Sequence, residues 1–467
     1  MTGRGVKTKK PGISPVMREL ATYIARAGKK PLPKPVVEKT KHHVLDTLAA
    51  MVSGSRLLPG EKAISYIRTQ GGTREATVVG SRIVTTAENA ALANGMLAHA
   101  DETDDSHAPS LTHPGCGVVP AALAMAEREQ SNGVAFLRAV ALGYDVGCRM
   151  TLALHAYDFR EAGHSTHSFG PMFGAAAAAG SLAGLNYDGV RHLLSYTAQQ
   201  ASGVSCWMRD AEHIEKAFDF GGMPARNGVA AAAMVAHGFS AVEDVFSGER
   251  NFFVAYDESR RIGKPPQPER LVRGLGTTFE IMNTNIKRWS VGSPIQAPLD
   301  ALLDLIRQND IRPDDVSKLV VRVAHQGANT VDNRDMPDIC MQHMCAVMLL
   351  DGIVTFESAH DDRRMKDRKV LDLRRRIELY GDDALTRAMP SRQGIVELTL
   401  KGRTLRHHVK AVRGTADNPM TRAEVDEKCF HLLSPILGAK RSRLLCDTVW
   451  ALENVSSMRD LRPLLRA

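Results

Sequence analysis

The chain has 467 residues, 43% of them hydrophobic and 24% charged, with a formal net charge of +8. That length suits two or three domains, or one large domain with an insertion, and the composition is globular rather than fibrous or disordered. Aromatics make up only 5%, with no basic stripe interleaved with them, so nucleic acid is not an expected partner and the positive balance better suits attraction of small anions.

Residues 1–13 carry Arg4, Lys7, Lys9 and Lys10 without an offsetting acid and read as a solvated, disordered basic tail with no apolar segment of a secretory signal. Residues 14–265 read as the first part of a helical domain. Ser14-Pro15 caps a helix running to about Arg26, and "PKPVVEKTKHHVLDTLAAMVSG" repeats apolar residues at helical spacing until Gly54. A short strand-like run, "EATVVG", precedes a helix over "TTAENAALANGMLAHA" with Thr86 as its cap. Small-residue helices able to approach closely follow an acidic stretch. Among them, residues 167–186 come nearest to a membrane span but lack a sustained run of large apolar residues, so a buried helix is expected.

Near Lys264 the character changes. "GKPPQPER" is a proline-rich connector, and residues 270–413 mix helices with alternating runs, "SKLVVRVA", "GIVELTLK" and "TLRHHVKAV", the last two forming a hairpin around Gly402. "DDRRMKDRKVLDLRRR" reads as a solvated helical face rather than an anion site. Residues 414–467 return to helix. The expected fold is mainly α, a large all-helical domain with an inserted smaller α+β lid domain. Seven cysteines, an odd number with no CxxC pair, argue against a zinc ribbon or disulfide framework and predict a reducing, cytoplasmic setting.

"MLAHADETDDSHAPSLTHPG", residues 96–115, gathers Asp101, Glu102, Asp104 and Asp105 with His99, His107 and His113. Crowded carboxylates cost stability unless solvated, paired or bound to a cation or substrate. The stretch contains neither HExxH nor a calcium-loop spacing, so a hard cation on Asp101, Asp104 and Asp105 is the lesser reading and general acid–base chemistry the greater. Two lysines lie in restrictive settings. Lys216 in "IEKAFDFGGMPARNG" precedes Gly221-Gly222, which would let the backbone approach a ligand, and Lys287 lies in "NTNIKRWSVGSP"; taken alone, each motif also reads as an ordinary surface lysine.

From about residue 14 to 460 the chain resembles the MmgE/PrpD family of 2-methylcitrate dehydratases, cis-aconitate decarboxylases, iminodisuccinate epimerases and relatives. The resemblance rests on eight segments in order: "VLDTLAAMVSG", "NGMLAHADETDDSH", "THPGCGVVPAALAMAE", "AVALGYDVGCRM", "GHSTHSFGPMFGAAAAAGSLAGL", "EKAFDFGGMPARNGVAAAAM", "IKRWSVGSPIQAPLDAL" and "DNPMTRAEVDEKC". It implies a homodimer with a site between the helical and lid domains and no metal or organic cofactor. It also places His113 on a site histidine, Ser106 on a threonine, Lys216 and Lys287 on two site lysines, and His164 on the histidine of a Gly-x-His segment. The chain departs from the family pattern at four places: Glu102, or Asp101 beside it, replaces an aspartate; one residue is inserted between Ser106 and His113; His343 replaces a lid tyrosine; and Gly292 replaces a histidine.

The resemblance implies a cofactor-independent lyase, first a dehydratase, acting on a small hydroxy-di- or tricarboxylate. An epimerase, isomerase or decarboxylase is the alternative and a non-catalytic carboxylate-binding protein a distant one. His113, Lys216, Lys287, Glu102 and Asp101 are the expected catalytic residues; Asp104, Ser106, His164 and His343 are expected to bind substrate. The small carboxylate is the expected partner besides a second copy of the chain, with neither nucleic acid nor membrane.

Overall fold

A computed structural model describes residues 12–467, so residues 1–11 of the expected basic tail lie outside the described residues. The chain is mainly helical, and its apolar side chains gather in separate clusters. Two of these clusters are built almost wholly from helices before residue 287 and after residue 420. The N-terminal helix Pro15–Ala27 is capped by Ser14, whose side chain accepts from the Met17 amide at 3.2 Å. Thr86 caps helix Ala87–Ala98 in the same way through Asn89. Between them lies a small ribbon of β1 (Ala76–Thr77) and β2 (Val84–Thr85).

The helices nearest the site pack backbone to backbone. Helices Gly133–Ala153 and Thr166–Leu182 meet where Gly143 faces Gly174 and Gly147 faces Gly170; a Cβ on Gly147 would sit 2.8 Å from the Gly170 carbonyl oxygen. Gly95 meets Gly221 so closely that a Cβ on either would strike the other's carbonyl. The expected role of Gly221-Gly222, approach to a ligand, is therefore corrected: the pair lets the π-turn Phe218–Gly222 press against helix Ala87–Ala98, and thereby sets Lys216 and Phe220 beside the acidic stretch.

A third cluster collects buried residues from Trp289 to Val412 around a four-stranded sheet. Its strands are β3 (Val316–Val323), β4 (Ile377–Gly381), β5 (Gly394–Leu400) and β6 (Arg403–Val409), in spatial order β4-β3-β5-β6. β3 runs parallel to β4 and antiparallel to β5; β5 and β6 form the hairpin, which turns through Gly402 at φ +90°. Helices Ser293–Gln308 and Met341–Asp351 supply the apolar cover. The change of core comes between Ile286 and Trp289, later than the proline-rich connector, because Leu271, Ile281 and Ile286 pack with the helices. Helix Arg422–Leu437, opened by a Thr421/Glu424 capping box, returns to the helical body. Its Lys428 donates to Asp46 Oδ1 at 2.6 Å and to the Thr103 carbonyl at 3.1 Å, tying the C-terminal segment to the acidic stretch. Among the described residues no helix is long and apolar enough to cross a membrane.

Candidate active site

Every carboxylate of the acidic stretch is buried. Each is also met by a cation or donor from elsewhere in the chain. Asp105 is structural: its Oδ2 accepts from Tyr144 and lies 2.7 Å from His43 Nδ1, and its Oδ1 accepts from the Gly115 amide at the start of helix Pro114–Arg128. Asp101 turns toward the sheet-bearing body, where its Oδ2 lies 2.9 Å from His360 Nε2. Glu102 and Asp104 face inward.

Glu102 is held between both lysines. Lys216 Nζ donates to Oε1, while Lys287 Nζ donates to Oε2 at 3.1 Å and to the Glu102 carbonyl at 2.9 Å. Burial alone would raise the Glu102 carboxyl, but the two ammonium groups outweigh it and keep the pKa well below the usual carboxylate range. Lys287 is only 3% exposed. Its burial favours the neutral amine, yet Glu102, with Asp104 Oδ1 at 3.7 Å, raises its pKa above the ordinary lysine value. It is therefore an interior ion-pair partner, and the surface-lysine reading does not survive for it.

Asp104 carries two histidines, His99 Nδ1 at 3.0 Å and His113 Nδ1 at 3.1 Å. They outweigh its burial and hold its carboxyl well below the usual range. His113 stands just before helix Pro114–Arg128. Burial pushes its pKa down to about 4; Lys287 adds to this and Asp104 opposes it. At neutral pH His113 is thus an uncharged imidazole oriented through Nδ1 by a carboxylate, the form a general base requires.

A cavity of about 560 Å³ opens above this group, walled by Glu102, His113, Lys216 and Phe220 on the helical side and by Pro294, Val323, Arg334 and Arg392 on the sheet side. Lys216 Nζ lies over the rings of Trp207 and Phe220, 5.5 and 5.3 Å from their centroids, which keeps one face of the ammonium apolar. The structure thus brings together His113, Lys216, Lys287, Glu102 and Asp104 of the expected residues and leaves others apart. Ser106 pairs through its backbone with Asn285 and lines a neighbouring cleft of about 350 Å³. His164 stacks on Phe159 at 4.2 Å and its Nε2 lies 3.0 Å from Glu258. His343 is wholly buried on helix Met341–Asp351, with no hydrogen-bond partner on either ring nitrogen among the described residues. It does not line the cavity.

Sequence reasoning missed His167, His213 and, as an inward-facing member, His99. His167 lies flat on Phe220, with centroids 3.9 Å apart, and His213 is one helical turn before Lys216. Both line the cavity, and both have pKa values held well below the ordinary histidine value by burial and neighbouring cations. The spacing "HIEK" was the available signal for His213; His167 stands three positions after His164, and nothing local decides which of the two faces inward. Two overlapping trios, His99–Glu102–His213 and His99–Asp104–His113, have ligand atoms within 4.8 Å of one another. A divalent ion in either would sit against Lys287, and in the first against Lys216 as well, so the donor set fits ammonium groups better than a metal.

Residues 18–263 match the MmgE/PrpD N-terminal domain and residues 289–452 the MmgE/PrpD C-terminal domain. The chain is 27% identical over 306 residues to the cis-aconitate decarboxylase-like protein oryM of Aspergillus oryzae, covering 62% of each chain. It is 25% identical over 307 residues to a cis-aconitate decarboxylase of Aspergillus terreus, covering 63% of this chain and 61% of that one. The matched region therefore spans less than two thirds of the curated relatives' length.

Proposed function

Since the chain belongs to the MmgE/PrpD family, we propose that it is a cofactor-independent lyase acting on a small polycarboxylate, and first a dehydratase of a hydroxy-di- or tricarboxylate. The observation that carries this reading is the His113–Asp104 pair at 3.1 Å beside Lys216 and the cavity. Neutral His113 removes the proton next to a substrate carboxylate; the C–H electron pair becomes the new double bond, and the imidazolium so formed returns the proton to the departing hydroxyl, which leaves as water. Negative charge building on the carboxylate oxygens is stabilised by fixed cations in a space with little water.

The two lysines divide this work. Lys216 borders the cavity and turns to the substrate carboxylate, while Lys287, behind Glu102, keeps that carboxylate paired meanwhile. Asp104 holds His113 in one tautomer and steadies the imidazolium that forms.

Decarboxylation is the second reading, favoured by the named activity of the relatives. It passes through the same stabilised charge but needs His113 as a proton donor to carbon afterwards. A panel of hydroxy-di- and tricarboxylates, followed by ultraviolet absorbance for a new double bond and by carbon dioxide release, separates the two. Absence of both, together with no solvent deuterium incorporated into any bound acid, would leave only a carboxylate-binding protein. A homodimer in a reducing, cytoplasmic setting completes the proposal; none of the seven cysteines is paired.

A further inference from the structure

Ser165 occupies the position before helix Thr166–Leu182 where a serine ordinarily accepts an amide of the first turn, yet its side chain caps nothing. Its hydroxyl is used elsewhere. Trp207 Nε1 donates to Ser165 Oγ at 3.1 Å, and Ser165 Oγ donates in turn to Asp219 Oδ2. Asp219 stands on the π-turn Phe218–Gly222 and is only 6% exposed. Among the described residues this is its one side-chain hydrogen bond, and no ammonium or guanidinium pairs with it. A buried carboxylate answered by a single hydroxyl costs stability, so its place at the end of this chain calls for a reason.

The reason lies at the other end. Trp207 comes from the short turn Ser205–Arg209, which contributes no buried residue, and its neighbours Val204 and Met208 are exposed. The indole meets Phe220 and His167 edge-on, with centroids 4.7 and 5.4 Å apart. Edge contacts let a ring slide, whereas the N–H bond to Ser165 fixes where it stands. So fixed, the ring lies 5.5 Å from Lys216 Nζ and lines the cavity beside it.

We propose that Ser165 and Asp219 are positioning residues that act through Trp207, anchoring its indole as a dry wall against the Lys216 ammonium. The inference rests on the proposed function and deepens it. An ammonium flanked by two aromatic faces carries less water, so its field reaches developing charge with less screening. With the anchor cut, the indole swings out on its unburied turn and water reaches Nζ. The charge that Lys216 opposes is larger in the transition state than in the bound acid, so the loss falls on kcat more than on KM.

The test compares wild type with S165A, D219N, W207F and the S165A/W207F double variant. Kinetics are taken at pH 8, where Asp219 is ionised, because burial lifts its carboxyl to about 7. S165A should lower kcat roughly two- to thirtyfold, the span of a cation–π contact from exposed to desolvated, with KM changed far less. D219N, which keeps an acceptor for Ser165 but not its charge, should lose less. W207F removes the indole N–H and leaves Ser165 on Asp219; it should match S165A, and the double variant should be no slower than W207F, since the serine then has nothing to anchor. A second readout needs no substrate. The protein has three tryptophans, and the emission of Trp207, taken as the difference from W207F, should shift to longer wavelength and become more open to acrylamide quenching in S165A. With an active wild type, an unchanged kcat in S165A or W207F overturns the positioning role and leaves the proposed function standing. So does an S165A substitution that slows W207F as much as it slows wild type, the result of a merely structural serine. An unmoved Trp207 emission in S165A overturns the anchor as well. A wild type that converts no hydroxy-di- or tricarboxylate, with the emission shift present, would overturn the proposed function while supporting the anchor.

Discussion

Lys287→Met keeps the aliphatic length of a side chain that is only 2% exposed and removes its charge. The lost contacts are the Glu102 carbonyl at 2.9 Å, Glu102 Oε2 at 3.1 Å and Asp104 Oδ1 at 3.7 Å. Breaking a buried ion pair from one side costs about 3–5 kcal/mol. Lys216 remains on Glu102 and two histidines remain on Asp104, so the lower end, about 3 kcal/mol, is expected from the urea midpoint at constant m. The Glu102 carboxyl is depressed in the fold and the Lys287 ammonium raised, so the difference from wild type should be full between about pH 4.3 and pH 10.4. It should shrink as acid protonates the carboxylates below that window, or as base strips the ammonium above it. Activity gives a second readout. Lys287 disfavours protonated His113, so its loss lets Asp104 draw that pKa upward from about 4, and the acid limb of kcat/KM should move to higher pH. A variant within about 0.5 kcal/mol of wild type, the ordinary range for surface changes, with an unmoved acid limb would refute the reasoning.

His113→Asn should lose about 10²–10⁴-fold in kcat while still binding polycarboxylate, as measured by steady-state kinetics beside calorimetry. His107→Asn should lose far less activity but unfold more easily, because His107 is buried with Nδ1 2.7 Å from Ser110 Oγ and Nε2 3.3 Å from Glu280; equal catalytic loss in the two would remove the proton-transfer role from His113. Activity should survive exhaustive chelation, since the carboxylates that could bracket a cation are engaged by ammonium groups; turnover lost to a chelator and restored by one divalent ion would overturn that reading. His360 ties the sheet-bearing body to Asp101: burial lowers its pKa, but Asp101 outweighs burial and lifts it to about 9. This tie is fully present below about pH 6.5 and is lost as pH rises through 9, so His360→Gln should flatten the fall in stability across that interval; a parallel fall in both proteins would dismiss the tie.

Features with a local cause could be read from the sequence. Ser14 and Thr86 stop the chain from continuing helix N-terminally by accepting the amide three residues on, and the Lys401-Gly402 turn joins two alternating runs. β4 could not be read: it follows a run of arginines, buries only Ile377, and is a strand because β3, sixty residues earlier in the chain, offers a parallel edge. The pairing of Gly221 with Gly95 is equally non-local, and so is the choice of His167 over His164, which is made by Phe220 lying beneath one ring and Phe159 beneath the other. The crowded acids follow the same logic. Asp105 is answered by His43 and Tyr144, Asp101 by His360, Glu102 by Lys216 and Lys287, and Asp104 by His99 and His113. These partners are scattered from residue 43 to residue 360, so neither the stretch nor its spacing could reveal which acid is structural. What separates them is where the partner stands. His43 and Tyr144 are interior to the helices and His360 lies between the two bodies, whereas Lys216 and His113 border the cavity, so only Glu102 and Asp104 hold groups that a substrate can reach.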